Sequence, residues 1–83
     1  MVIKPLRKDL VRYITSRNLT KKWGKAMELL DTNYRHPSLH VELLEPKNRR
    51  IYSLRLDKKY RALFFITKQK EIEVFQITNH YKK

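Results

Sequence analysis

The feature that most constrains this chain is a change of apolar period part-way along it. Up to Leu30 the apolar residues recur at helical spacing, Leu6, Leu10, Tyr13, Ile14 and then Trp23, Ala26, Met27, Leu30. From Leu39 onward they alternate, with Leu39, Val41 and Leu43 on one side of His40, Glu42 and Leu44, and with Tyr52, Leu54 and Leu56 opposed to Ser53, Arg55 and Asp57. One sequence therefore asks for two layers, a helical one and a pleated one, each needing the other to cover its apolar face. At 83 residues there is room for one domain, spanning 1–83.

Punctuation places the elements. Pro5 suits a helix entry, and a helix is expected over Leu6–Arg17. Asn18-Leu19-Thr20 interrupts it, with Thr20 as N-cap of a second helix carrying the Trp23 stripe, which reads as core. The short break predicts an antiparallel helical hairpin. Asp31 to Ser38 reads as loop, because Pro37 disfavours helix at His36. Strands are expected at Leu39–Leu44, at Tyr52–Asp57, at Tyr60–Thr67 and at Ile72–Thr78, separated by a turn at Glu45–Arg49 and a polar turn at Lys68–Lys70. Short connections favour antiparallel neighbours. The expected fold is thus α+β, an N-terminal helical hairpin on one face of a twisted, mainly antiparallel four-stranded sheet. Val2-Ile3 offers a short extra N-terminal strand. His40, Glu42, Arg55, Arg61 and His80 share the other face if the registers cooperate.

Charge narrows the function. Twenty Lys and Arg against eight Asp and Glu leave a net +12, and an acidic partner is expected. Phosphate backbones fit, since each cation laid on one releases condensed counterions. The cations are also bunched: between Lys47 and Arg61 lie seven basic residues (Lys47, Arg49, Arg50, Arg55, Lys58, Lys59, Arg61) and one acid, Asp57. With the terminal Lys82 and Lys83 they form the expected RNA-binding surface, Arg55 and Arg61 counted with the catalytic candidates. A surface that is merely solvated is the duller reading of the same charge.

Other chemistries are poorly supported. The chain has no Cys, its three His are not closely paired, and its single Gly, Gly24, falls inside a helix, so neither a metal site nor a phosphate-cradling loop is expected. No apolar run approaches the ~20 residues of a bilayer crossing, and Met1 to Pro5 lacks the apolar stretch of a signal peptide. A soluble, cytoplasmic protein without membrane partner or small-molecule cofactor is expected. What remains is Glu42, several Arg and Lys, His80 and Tyr81. These types suffice for metal-free RNA cleavage, which needs a base for the 2′-oxygen, a cation for the phosphorane and an acid for the departing 5′-oxygen. Glu42 has a competing reading as a solvated counter-charge. Arg61 is the most telling, because a lone charge in Tyr60-Arg61-Ala62-Leu63-Phe64-Phe65-Ile66 needs a partner wherever it is desolvated. A histidine side chain ordinarily titrates near neutrality, which suits His80 to proton transfer, and Tyr81 either packs on the sheet edge or stacks on a base.

The runs Arg35-His36-Pro37-Ser38-Leu39-His40-Val41-Glu42-Leu43-Leu44, then Arg50-Ile51-Tyr52-Ser53-Leu54-Arg55-Leu56-Asp57-Lys58-Lys59-Tyr60-Arg61-Ala62-Leu63-Phe64, and Ile77-Thr78-Asn79-His80-Tyr81 resemble the RelE/ParE superfamily of bacterial toxins. The similarity covers nearly the whole chain, and its order and spacing best match the YoeB-like pattern of the RelE/YoeB branch. That resemblance implies the toxic half of a type II toxin–antitoxin pair, an endoribonuclease cleaving messenger RNA in the ribosomal A site. It implies Glu42 as base, Arg61 and Arg55 as phosphorane stabilisers, His80 as acid and Tyr81 as an orienting or stacking residue. Its implied partners are the ribosome, messenger RNA and a cognate acidic antitoxin that wraps the same basic surface. The chain departs from the pattern at Glu45, where the family carries a basic residue, at Tyr52, often Trp, and in a tail two residues longer, Lys82-Lys83. Two other outcomes belong to the same resemblance: a ParE-like, non-enzymatic inhibitor of DNA gyrase, and an inactive nucleic-acid-binding relative.

Overall fold

A computed structural model describes residues 2–79. Helix α1 spans Lys8–Ser16 and α2 spans Thr20–Thr32. Strands β1 (Glu42–Leu43), β2 (Tyr52–Arg55), β3 (Arg61–Ile66) and β4 (Ile72–Thr78) form one antiparallel sheet in the order β1-β2-β3-β4. The expected α+β architecture of two helices on a four-stranded sheet is the one observed.

The break between the helices is a built stop signal. Asn18 takes the left-handed conformation (φ 55°), which Asn tolerates better than most residues. Leu19 N–H donates to the Ile14 carbonyl (2.9 Å) and Asn18 N–H to that of Thr15 (3.2 Å), which together satisfy the last carbonyls of α1. Leu19 itself is 2% exposed, so a residue expected only to interrupt the helices is a core residue. Thr20 is the first residue of α2, whose N-cap is Leu19 without a side-chain cap, so the expected capping role of Thr20 is not realised. The Trp23 stripe is core as expected: Ala26 and Leu30 are buried, Trp23 and Met27 half-buried against them.

The first strand is much shorter than the alternation predicts. Pro37–Leu39 forms a 3₁₀ turn instead, started by Pro37 at its first positions and capped by His36, whose Nδ1 accepts from Ser38 N–H at 3.1 Å. His40 follows with φ 46° and ψ 52°, a left-handed residue that cannot continue into a strand. Extension resumes only at Glu42. The turn expected at Glu45–Arg49 contains a second 3₁₀ turn, Lys47–Arg49, closed by Arg50 at φ 56°. The N-terminal strand reduces to one parallel bridge, Ile3 with Ile72, held by Lys4 N–H to Ile72 O and Ile72 N–H to Val2 O, both 2.8 Å.

The pleat sorts the sheet into two faces. Leu54, Ala62, Phe64, Ile72, Val74 and Ile77 point to the helices and are at most 5% exposed, with Leu10, Ile14, Leu19, Leu30 and Leu39 completing the core. The other face carries Glu42, Ser53, Arg55, Arg61 and Leu63, because Glu42 pairs with Ser53, Ser53 with Leu63, and Arg55 with Arg61. Between Leu63 and Phe64 the register with β4 slips by one residue, as in a β-bulge, and Phe75 is left over to meet Phe65 at 5.8 Å.

Candidate active site

Arg61 is the fixed point of the polar face. It is 8% exposed, and burial of a guanidinium is tolerable only when its N–H groups have acceptors. Ser53 Oγ accepts from both Arg61 Nε (3.1 Å) and Nη2 (2.9 Å), and the His40 carbonyl accepts from Nη2 at 2.6 Å. The partner that the sequence demanded for this lone charge is thus a buried hydroxyl on β2 plus a backbone carbonyl on the entry to β1. The left-handed turn at His40 supplies that carbonyl.

Around Arg61 a shallow cavity of about 290 Å³ is lined by His40, Glu42, Arg55, Asp57, Lys58, Lys59 and Arg61. Register explains why: Glu42 sits opposite Ser53, the same Ser53 that holds Arg61, so the carboxylate and the guanidinium flank one residue. Arg55 lies opposite Arg61 in the β2–β3 pairing. Its Nη1 is 3.5 Å from His40 Nε2, and its Nε donates to the Asp57 carbonyl at 3.4 Å.

Asp57 is structural. Its Oδ1 accepts from the N–H groups of Lys59 and Tyr60, both at 2.8 Å, which shapes the β2–β3 turn, and its Oδ2 meets Lys22 Nζ at 2.8 Å, which ties that turn to α2. Partial burial pushes its carboxyl up, but the Lys22 ammonium and the two amide donors outweigh this and hold it below the usual carboxylate range. Asp57 is paired with Lys22, and among the described residues the cavity gathers four cations, Arg55, Lys58, Lys59 and Arg61, with the carboxylate of Glu42. An oxyanion such as a phosphodiester is the ligand such a surface favours.

Four of the expected site residues, Glu42, Arg55, Lys58 and Lys59, therefore converge on Arg61. Others do not. Arg50 lies on the opposite side of the sheet, lining a groove with Tyr34 and Tyr52. Lys47 and Arg49 are exposed on the 3₁₀ turn and line neither. His80, Tyr81, Lys82 and Lys83 lie outside the described residues. Among the described residues no three His, Cys, Asp or Glu side chains gather as a metal would require, and no helix is long and apolar enough to cross a membrane. Sequence reasoning missed Ser53 and His40 as the residues that hold Arg61. The only signal for Ser53 was its parity with Arg55, and the His40 carbonyl left no signal at all.

No family model and no curated protein sequence matches this chain. Solved structures do. A YoeB/ParE toxin from Agrobacterium tumefaciens is 16% identical with a TM-score of 0.72, covering 96% of each chain. A YoeB dimer from Staphylococcus aureus is 19% identical (TM-score 0.63), covering 96% of this chain and 94% of that one. A heterotetrameric YoeB–YefM toxin–antitoxin complex from the same organism has the same identity and coverage, with a TM-score of 0.62. Two helices followed by a four-stranded antiparallel meander, matched end to end in this way, give the chain the YoeB/ParE toxin fold.

Proposed function

We propose that this protein is the toxin of a type II toxin–antitoxin pair and a metal-independent endoribonuclease acting on messenger RNA in the ribosome. The observation that carries this reading is Arg61: a guanidinium anchored on Ser53 and the His40 carbonyl at the floor of a cationic cavity that also holds Glu42. The resemblance of the toxin motifs and the fold of the YoeB/ParE toxins support it.

In the proposed reaction a phosphodiester lies over Arg61 and Arg55. Glu42 takes the proton from the 2′-hydroxyl as O2′ forms its bond to phosphorus. The two guanidiniums stabilise the charge growing on the equatorial oxygens. The P–O5′ bond then breaks and the 5′-oxygen receives a proton, the role proposed for His80, leaving a 2′,3′-cyclic phosphate and a free 5′-hydroxyl. Tyr81 is proposed to orient the substrate. Lys58 and Lys59, at the rim, contribute sequence-independent docking to ribosomal RNA, as do Lys47, Arg49, Arg50, Lys82 and Lys83 in the wider basic surface. A cytoplasmic location and a cognate acidic antitoxin, by analogy with the YoeB–YefM complex, complete the proposal.

The test is to map messenger cleavage by purified protein on ribosomes, at one constant magnesium concentration, for the natural chain and for Glu42→Gln and Arg61→Lys. Cleavage that falls with either substitution is expected. Cleavage unaffected by both substitutions refutes the assignment. Growth arrest with a DNA-damage response and intact messenger identifies a ParE-like gyrase inhibitor instead.

A further inference from the structure

His40 is tied into the cavity twice. Its carbonyl accepts from Arg61 Nη2 at 2.6 Å, and its ring Nε2 lies 3.5 Å from Arg55 Nη1. The backbone between these ties is left-handed, φ 46° and ψ 52°, a conformation disfavoured for a residue with a Cβ and concentrated at functional sites. His40 is also exposed, so its ring exchanges protons with water.

The contact with Arg55 defines the state of the ring. A guanidinium has five N–H donors and no acceptor, so Nη1 can only donate. Nε2 is then the bare nitrogen of a neutral imidazole, and the proton sits on Nδ1. The charged groups that line the cavity with this ring are Glu42 on β1, Arg55 on β2, Asp57, Lys58 and Lys59 in the turn that follows, and Arg61 on β3. A phosphate oxygen that reaches Arg55 takes over Nη1 and leaves Nε2 without its donor. The freed nitrogen then has an anion for a neighbour, and an opposite charge at that range favours the protonated form of a histidine.

We infer that His40 is a phosphate-binding residue of this cavity and becomes cationic as the phosphate arrives. One proton passes from solvent to Nε2, no bond of the substrate changes, and the phosphodiester gains a third charged donor beside Arg55 and Arg61. The inference rests on reading the cavity as a phosphodiester site and not on cleavage. His36 has no such role: its Nδ1 already accepts from Ser38 N–H, and it lines the groove on the opposite side of the sheet. Because binding takes up a proton, affinity falls as pH rises through neutrality.

The probe is a short all-deoxy oligonucleotide, which lacks the 2′-hydroxyl and cannot be cleaved. Long-range proton–nitrogen NMR spectra of the full chain report the state of the His40 ring. At about pH 7.5 the ring is expected to be the neutral Nδ1–H form in the free protein and doubly protonated in the complex. Affinity is measured by fluorescence anisotropy between about pH 6 and pH 8 at fixed ionic strength, for the natural chain, His40→Gln and His36→Gln. Circular dichroism confirms that each is folded. Over this range the natural chain is expected to lose about threefold more affinity than His40→Gln loses, and His36→Gln is expected to follow the natural chain. Parallel profiles for the natural chain and His40→Gln overturn the inference. A His40 ring that stays neutral in the complex, or is already charged without it, overturns it also. Messenger cleavage on ribosomes is read in parallel. If the natural chain does not cleave while His40 gains its proton, the enzymatic reading fails and the phosphate site stands. If cleavage depends on Glu42 and Arg61 while the ring never changes, the inference fails and that reading stands.

Discussion

Ser53 Oγ receives two hydrogen bonds from the guanidinium of Arg61, at 3.1 Å from Nε and 2.9 Å from Nη2, across the β2–β3 pairing. Both residues are buried, Ser53 fully and Arg61 to 8% exposure, so the pair fixes a cation at a set height under the polar face of the sheet. A guanidinium held in this way needs no reorganisation when charge develops on a phosphate above it, which is where electrostatic stabilisation is most effective.

Replacing that hydroxyl is the first prediction. Ser53→Ala strands two N–H donors of a buried cation and is expected to destabilise the fold by about 1–3 kcal/mol. The displaced guanidinium is expected to slow cleavage by roughly 10- to 100-fold. Thermal melting and single-turnover cleavage check the two effects separately. A melt lowered as expected beside an unchanged rate shows that the anchor serves stability alone.

Glu42 separates chemistry from stability. It is half-buried on a two-residue edge strand, so Glu42→Gln is expected to melt within about 0.5 kcal/mol of the natural chain. As the proposed base its loss is expected to cost roughly 10²- to 10⁴-fold in cleavage rate. Ribosome binding, measured by pelleting, is expected to persist, and its loss points to a docking role for the carboxylate.

Asp57 sets an acid limit on stability. Its folded carboxyl lies below the ordinary value of about 3.9, so its contribution is complete above that value and is lost as pH falls through the depressed folded one. Asp57→Asn is expected to lower stability at pH 7 by about 1–2 kcal/mol, through the lost Lys22 pair and weaker acceptance from Lys59 and Tyr60. The difference between the two proteins is expected to shrink as pH drops below about 4. Denaturant titrations at pH 7 and pH 3 measure it, and a difference that grows at pH 3 contradicts the assignment.

Lys58 and Lys59 are exposed at the rim of the cavity. Changing both to Ala is expected to weaken RNA binding equally for unrelated sequences. The slope of log affinity against log salt is expected to fall by roughly 1 to 2 units. Fluorescence anisotropy over a salt series checks this, and a slope that does not move removes both residues from the phosphate surface.

Much of the fold was legible because periodicity and punctuation are local. The helical stripe from Trp23, the polar turn at Lys68–Lys70 and the span of β4 are as the residue pattern predicts, while α1 keeps Leu10, Tyr13 and Ile14 but starts at Lys8, leaving Pro5 and Leu6 outside the helix they were expected to open. The failures are equally physical. Leu39–Leu44 alternates like a strand, yet Pro37 starts a 3₁₀ turn and His40 turns left-handed, and apolar alternation carries no record of backbone handedness. Arg50 belongs to a run of cations in sequence, but its left-handed turn delivers it to the groove behind the sheet instead of the cavity in front.

The sequence by itself determined that this chain is a two-layer α+β fold, strongly cationic, with one arginine in an apolar strand that burial obliges to find acceptors. Only the tertiary structure decided which acceptors those are and which side chains gather beside them. Strand parity says which residues share a face within one strand, but a slip of one residue between strands reverses every neighbour. The pairings Glu42 with Ser53 and Arg55 with Arg61 resolve that choice, and they bring a carboxylate and two guanidiniums from three strands to one cavity.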